Sequence, residues 1–365
     1  MKKNNCTFFL ILVSLLILIG LIFIYSSSSV FALEKYGSAD YFVKKQFSGL
    51  ILGLIACYLC SRMPLRILSK YAFVFFLVTF CITALTLIPP FSVSIHGSQR
   101  WLHIGRLVFQ PSELLKIGFI VYYAAFFSRK EHSVHSFIRG YAPPLIVLII
   151  SAGLLLAQPD FGQMITLSAT GCAMLFMASI KPLYLIVTLV AGSLASILLI
   201  YIKPYRFKRV MTFLNPWHDP QGAGFQIIQS LIAIGSGRLT GVGIAQSKQK
   251  FFYLPMQHTD FIFSIIAEEM GFLGSLGIII LYVLLLYQGL RIALSMKSNF
   301  CFFLVFGCIM LITLQATVNM AVVGGLLPTK GLGLPFMSYG KSALVAHLCM
   351  VGLIINCVRN NNFVA

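Results

Sequence analysis

The sequence predicts an all-α polytopic membrane protein. About ten transmembrane helices form one integral domain over residues 1–365, with one large extracytoplasmic loop at residues 203–258. Three observations carry that expectation. Hydrophobic residues make up 59% of the 365 and charged residues only 10%, a balance foreign to ordinary soluble domains. Apolar stretches of roughly the 20 residues needed to cross ~30 Å of hydrocarbon recur along the whole chain. The basic residues between those stretches sort to alternate sides.

Taken in order, the expected spans are 8–29, 46–61, 70–89, 113–128, 143–158, 161–180, 183–202, 259–290, 300–325 and 336–357. The first follows Lys2 and Lys3 in the manner of a signal peptide, yet no small-residue cleavage site lies around Tyr25 to Val30, so it is expected to stay as a helix. The fourth opens on Gln110-Pro111-Ser112-Glu113, with Ser112 as a helix N-cap and Glu113 in the first turn, where the helix dipole favours an anion. Lys116 lies one turn further in. Between the fifth and sixth spans, Gln158-Pro159-Asp160-Phe161-Gly162 holds too few polar residues for a free loop. Asp160 there reads either as a turn and cap residue or as a polar contact at a cavity rim. Gly324 to Gly331 and Leu334 to Lys341 read as a broken helix, whose freed backbone must line protein or water.

An even number of spans puts both termini on one side. Lys2, Lys3, Arg62, Arg66, Lys70, Arg129, Lys130, Arg139, Lys181, Arg291, Lys297 and Arg359 then share that side, twelve against six opposite (Lys35, Lys44, Lys45, Arg100, Arg106 and Lys330). The positive-inside rule makes the richer side cytoplasmic. Residues 203–258 add seven basic residues outside against one acid, Asp219. Phe207, Phe213, Trp217, Phe225, Phe251, Phe252 and Tyr253 are interleaved with them, which suits a segment lying on the membrane interface. Its charge serves either to hold anionic lipid heads or to seat an anionic substrate. An outward-facing loop argues against nucleic acid. The nine cysteines fall in or beside spans and read as small apolar fillers.

The densest chemistry lies in Gln257-His258-Thr259-Asp260 and the apolar run after it, which also carries Glu268 and Glu269; these are three of the chain's nine acids. A carboxylate within hydrocarbon costs about 2.5–3.5 kcal/mol. Asp260 reads either as a dipole partner beneath a Thr259 cap or as a base whose pKa an apolar wall raises. Glu268 and Glu269 lie ~12 Å deeper along a helix and point away from it, so they read as packing groups satisfied inside the bundle.

Five segments, SQRWLHIGRLVFQPSELLK, QPDFG, NPWHDPQGAGFQIIQS, YLPMQHTDFIFSIIAEEMGFLG and LLPTKGLGLPFMSYG, occur in the order found in the SEDS family (shape, elongation, division and sporulation), which the chain resembles over nearly its whole length. Pro328-Thr329-Lys330-Gly331 is more like the cell-division members than the elongation members. The resemblance implies a membrane-embedded peptidoglycan glycosyltransferase that polymerises lipid II onto a nascent glycan strand for septal wall synthesis. It implies Asp260 as the catalytic residue and Arg100, Lys116 and Lys330 as substrate-binding cations, with His258, Asp160 and Ser338 of the same motifs completing the set. It further implies a class B penicillin-binding transpeptidase and other division proteins as partners, besides membrane lipids. The expected location is the bacterial inner membrane at the division site, with both termini cytoplasmic. A divalent cation, Mg or Mn, is a suggested cofactor, although no ligand cluster of metal-site spacing stands in the sequence. Two departures from the family are Phe252 and Met256, where division members carry acids, and Lys341, where a glycine is usual. The rival readings are a lipid II flippase and a non-catalytic scaffold for a division transpeptidase.

Overall fold

Helices form wherever the apolar stretches run, because backbone polar groups within hydrocarbon must be satisfied inside their own segment. The computed structural model describes residues 2–88, 92–95, 98–104, 107–129, 136–202, 204–222, 224–250 and 255–360. Gly97, Arg106, Lys130, Phe251, Phe252 and Tyr253 lie outside the described residues. The ten expected spans correspond to α1 (Lys2–Tyr36), α2 (Tyr41–Arg62), the pair α3 (Leu65–Lys70) and α4 (Ala72–Ala84), α5 (Pro111–Arg129), α6 (Ala142–Ala157), α7 (Phe161–Met177), α8 (Pro182–Ile202), and, beyond the long loop, Ile262–Leu294, Asn299–Val323 and Lys341–Arg359. Among the described residues, seven of these positions hold helices long and apolar enough to cross a membrane. The other three are α4, α5 and α7. Helices α4 and α7 have only 13 and 17 residues, and α5 carries Glu113 and Lys116 as a buried pair.

Two features depart from a plain helical bundle. Residues between α4 and α5 form a three-stranded antiparallel sheet, β1 (Ser92–Ile95), β2 (Ser98–Ile104) and β3 (Leu107–Phe109), in that order. Leu102 pairs with Phe109 and Val93 with Trp101, and the β1/β2 register slips between Val93 and Ser94. This sheet carries Arg100. The second departure lies in the long loop, whose described residues include α9 (Pro204–Leu214), a 3₁₀ turn at Pro216–His218, and α10 (Phe225–Ser236), ahead of α11 (Ile262–Leu294).

Helix α11 is broken at Gly271 (φ 67°, ψ −164°), and the return segment after α10 fills the break. Val242 and Gly243 donate their amides to the Glu268 and Glu269 carbonyls (3.0 and 3.1 Å), while Phe272 and Leu273 donate to the Arg238 and Leu239 carbonyls (2.8 and 3.1 Å). Backbone groups freed by the break are thereby satisfied away from water, as a membrane-depth break requires. Only glycine fits, since a Cβ at 271 would stand 2.3 Å from the Gly241 nitrogen. Glu268 and Glu269 pin the same segment. Ser26 donates to both Glu269 oxygens at 2.6 and 2.8 Å, the Lys250 ammonium lies 3.9 Å away, and Glu268 accepts from the Ser247 hydroxyl and, at 2.9 Å, from the Lys248 amide. Both acids are packing groups held inside the bundle.

Helices α12 (Asn299–Val323) and α13 (Lys341–Arg359) complete the chain. α13 lies along α2. At one end Gln46 exchanges hydrogen bonds with Ser338 and Gly340 (3.2 and 3.1 Å), and at the other Asn356 donates to the Cys60 and Met63 carbonyls (both 2.7 Å). Lys341 begins α13 with its stem against Gly49 of α2. Gln288 donates to the Asn5 carbonyl (2.9 Å) at the end that holds Asn356, so Asn5 and Asn356 both lie opposite the cavity described next. All nine cysteines are free thiols. None of α8's residues is buried, which leaves it at the bundle's edge.

Candidate functional site

Asp260 lies in a run of turns just before α11 and is half-buried. Thr259 does not cap α11: its hydroxyl donates to the Met256 carbonyl (3.1 Å), and α11 starts at Ile262 without a side-chain cap. The dipole-partner reading of Asp260 therefore has no cap beside it. Instead its backbone is strapped to the broken segment between α12 and α13. Asn319 donates to the carbonyls of Asp260 (2.8 Å) and Leu332 (2.5 Å). Ser338 donates to the Thr259 carbonyl (2.5 Å) while accepting from the Leu334 amide (2.7 Å), and Tyr339 donates to the His258 carbonyl (2.9 Å). Each freed carbonyl thus fixes the loop that carries the acid.

The acid faces a cavity of about 960 Å³ whose wall includes Arg100, Arg209, Lys330 and Ser338. Arg100 is held by the turn before α7: it donates to the Pro159 carbonyl (2.5 Å) and lies 3.4 Å from the Asp160 carboxylate. Asp160 is 2% exposed and accepts from the Gln163 amide (3.2 Å). It is at once the cap of α7, as one sequence reading had it, and the partner of Arg100, which stands between it and the cavity. Lys330 stands 4.9 Å above the Phe161 ring, and Arg209 donates to the Thr329 carbonyl (3.5 Å).

Burial sets the protonation of these groups. Desolvation pushes the Asp260 carboxyl up to about 7; Arg100 and Arg209 pull it back, while Asp160 adds to the rise. Asp160 is raised by the same cause, with Arg100 opposing. Desolvation and then the like charge of Arg209 lower Lys330 to about 8. An acid near 7 beside the basic side chains of Arg100, Arg209 and Lys330 suits proton acceptance at neutral pH next to a developing anion.

Three of the expected site residues are not on the cavity wall. Lys116 is fully buried in α5, 2.8 Å from Glu113 and 3.2 Å from Gln315 Oε1, so its charge is spent beneath the floor. Ser112 does not act as the N-cap of that helix. α5 begins at Pro111 and the Ser112 hydroxyl has no hydrogen-bond partner among the described residues. His258 is wedged among Phe31, Phe42 and Tyr339, with the Phe42 ring centre 4.4 Å away. Burial lowers it to about 4, leaving a neutral ring. Asp160 reaches the cavity through Arg100, which it pairs with, and by its charge, which adds to the rise of the Asp260 carboxyl. Conversely, sequence reasoning gave no individual role to Arg209, Asn319 or Gln315. Gln315 and Asn319 are four residues apart in an otherwise apolar helix, a spacing that puts both polar groups on one face.

Among the described residues, those around the cavity do not fit a resident cation. Asp160 is engaged by Arg100, Asp260 has two guanidinium groups in reach, and no group of three or more His, Cys, Asp or Glu stands together among the described residues.

Residues 6–363 match the FtsW/RodA/SpoVE family model, described as cell cycle protein. The probable peptidoglycan glycosyltransferase FtsW of Geobacter sp. (strain M18) is 40% identical over 337 residues, 92% of either chain. Stage V sporulation protein E of Bacillus subtilis (strain 168) is 38% identical over 363 residues, 99% of either chain. Among solved structures, a chain from a peptidoglycan synthase complex that coordinates polymerization and crosslinking superimposes with a TM-score of 0.78 at 31% identity, covering 97% of both. Five motifs in register, a matching bundle and near-complete coverage agree: this chain belongs to the FtsW/RodA/SpoVE family of cell cycle proteins, the SEDS family its motifs resemble.

Proposed function

We infer that this chain is a peptidoglycan glycosyltransferase that polymerises lipid II, a disaccharide-pentapeptide on an undecaprenyl diphosphate, for septal wall synthesis. The observation that carries this is the pairing of Asp260, poised near 7, with Arg100, Arg209 and Lys330 around one cavity at the end of the bundle.

Asp260 takes the proton from the acceptor's sugar hydroxyl as that oxygen attacks the anomeric carbon of the growing strand. The new glycosidic bond forms while the bond from that carbon to the diphosphate breaks, and the diphosphate leaves with the electron pair. Arg100, Arg209 and Lys330 meet the charge that develops there. Lys116 holds Glu113 and Gln315 in place below, a supporting role instead of direct contact with phosphate.

Both substrates are lipid-linked, which accounts for a catalyst embedded in the membrane. The richer basic side of the connecting segments supports a cytoplasmic location for both termini, with the cavity on the outer face of the bacterial inner membrane. Likeness to a chain of a peptidoglycan synthase complex supports a class B penicillin-binding transpeptidase as partner, and likeness to FtsW supports the division site. The test is purified protein in vesicles with lipid II and that transpeptidase. Glycan strands support the enzyme. Translocated but unpolymerised lipid II points to a flippase, and neither outcome under any tested partner points to a scaffold.

A further inference from the structure

The cavity continues past Asp260 to a floor built from four helices: Glu113 of α5, Gln163 of α7, Gln315 of α12 and His347 of α13. His347 is six residues into α13, ~9 Å from its start. The floor has no net charge, because Glu113 is paired with Lys116 at 2.8 Å. Gln315 is fully engaged, accepting from Lys116 (3.2 Å) and donating to the Gly333 carbonyl (3.0 Å). The others are not. Gln163 donates to Glu113 (2.8 Å), but its own Oε1 has no partner among the described residues. His347 is 1% exposed, faces Glu113 and Lys116 from α5 and the Phe336 ring at 5.5 Å, and neither ring nitrogen has a partner among the described residues. Buried polar atoms left this way cost free energy that a bound hydrogen-bonding group returns.

The two parts of the cavity thus differ in chemistry. The cations near Asp260 suit phosphate; the floor suits a neutral group that both donates and accepts. We propose that this floor binds the uncharged N-acetylated sugar of the lipid-linked substrate, with His347 as a binding residue that sets how deep the sugar sits. The His347 ring offers two nitrogens for hydrogen bonding, Gln163 offers a carbonyl, and Phe336 offers an apolar face for the pyranose ring. The proposal rests on the glycosyltransferase reading and adds to it the seat of the sugar.

The full chain in vesicles is compared as wild type, His347→Leu and His347→Gln. The Leu variant is expected to raise KM for lipid II about tenfold, the loss of one or two hydrogen bonds, with unchanged thermal unfolding. The Gln variant, which keeps a donor and an acceptor, is expected to stay within about threefold of wild type. Direct binding is read from Trp101, which lines the cavity, in a Trp217→Phe background, with free N-acetylglucosamine as the probe. Its fluorescence is expected to respond to the sugar in the parent and not in the His347→Leu variant. Unchanged KM and an unchanged Trp101 response in the Leu variant would overturn the proposal and assign the floor to water alone. A wild type that makes no strands sinks the glycosyltransferase reading instead, and the Trp101 titration still decides the floor.

Discussion

Gly331 stands directly against the carboxylate of Asp260: a Cβ at position 331 would lie 3.2 Å from Asp260 Oδ2 and 4.0 Å from Arg100 Nη1. The backbone of the broken segment therefore closes one side of the acid, and any side chain there shifts it. Gly331→Ala is expected to lower kcat roughly tenfold with little change in KM, because displacement of a catalytic group by under 1 Å already carries such a cost. Steady-state strand synthesis with wild type and Gly331→Ala checks this, and an unaltered kcat would mean that Asp260 is free to move.

The pH dependence follows from two raised or lowered groups. Asp260 accepts a proton only when ionised, and its carboxyl is pushed up to about 7, so activity should climb with pH through a midpoint near 7. Lys330 stabilises the leaving group only when protonated, and it is lowered to about 8, so activity should fall again above 8. The expected kcat/KM profile is a narrow bell between those values. Lys330→Arg should remove the alkaline limb, since a guanidinium keeps its proton. A profile whose acid limb falls near 4 would place the essential acid elsewhere.

The break in α11 predicts a stability effect distant from the chemistry. Gly271→Ala forces a left-handed backbone and a contact with the Gly241 nitrogen, and should cost about 2 kcal/mol or more. Glu269→Leu leaves Ser26 without its acceptor and Lys250 without that carboxylate, at about 1–3 kcal/mol. Thermal unfolding in detergent should fall by several degrees for each variant. Equal unfolding temperatures would show that the return segment is not docked.

How much of this was legible follows from what sets each feature. The helix positions were, because hydrocarbon thickness fixes the length of an apolar run. The sheet carrying Arg100 was not, since its strands have only three to seven residues and no periodicity that outweighs a loop. The break at Gly271 depends on Gly241, thirty positions away in sequence, and local patterns do not report such a pairing. Asp260, Arg100, Lys330 and Ser338 were each marked by motif and do meet at the cavity. Lys116, marked by motif as a substrate-binding cation, lies buried off the cavity wall beside Glu113, a partner that stands three residues earlier on the same helix face. His258 reads as chemistry in sequence because nothing there reveals the aromatic wall from Phe31, Phe42 and Tyr339.

The most direct measurement is glycan-strand synthesis from lipid II by wild type and Asp260→Asn, at equal amounts of folded protein in the same vesicles. Removal of a general base predicts a fall of about 10²- to 10⁴-fold in rate with lipid II binding nearly unchanged. Strand synthesis by Asp260→Asn within a few fold of wild type would contradict the account.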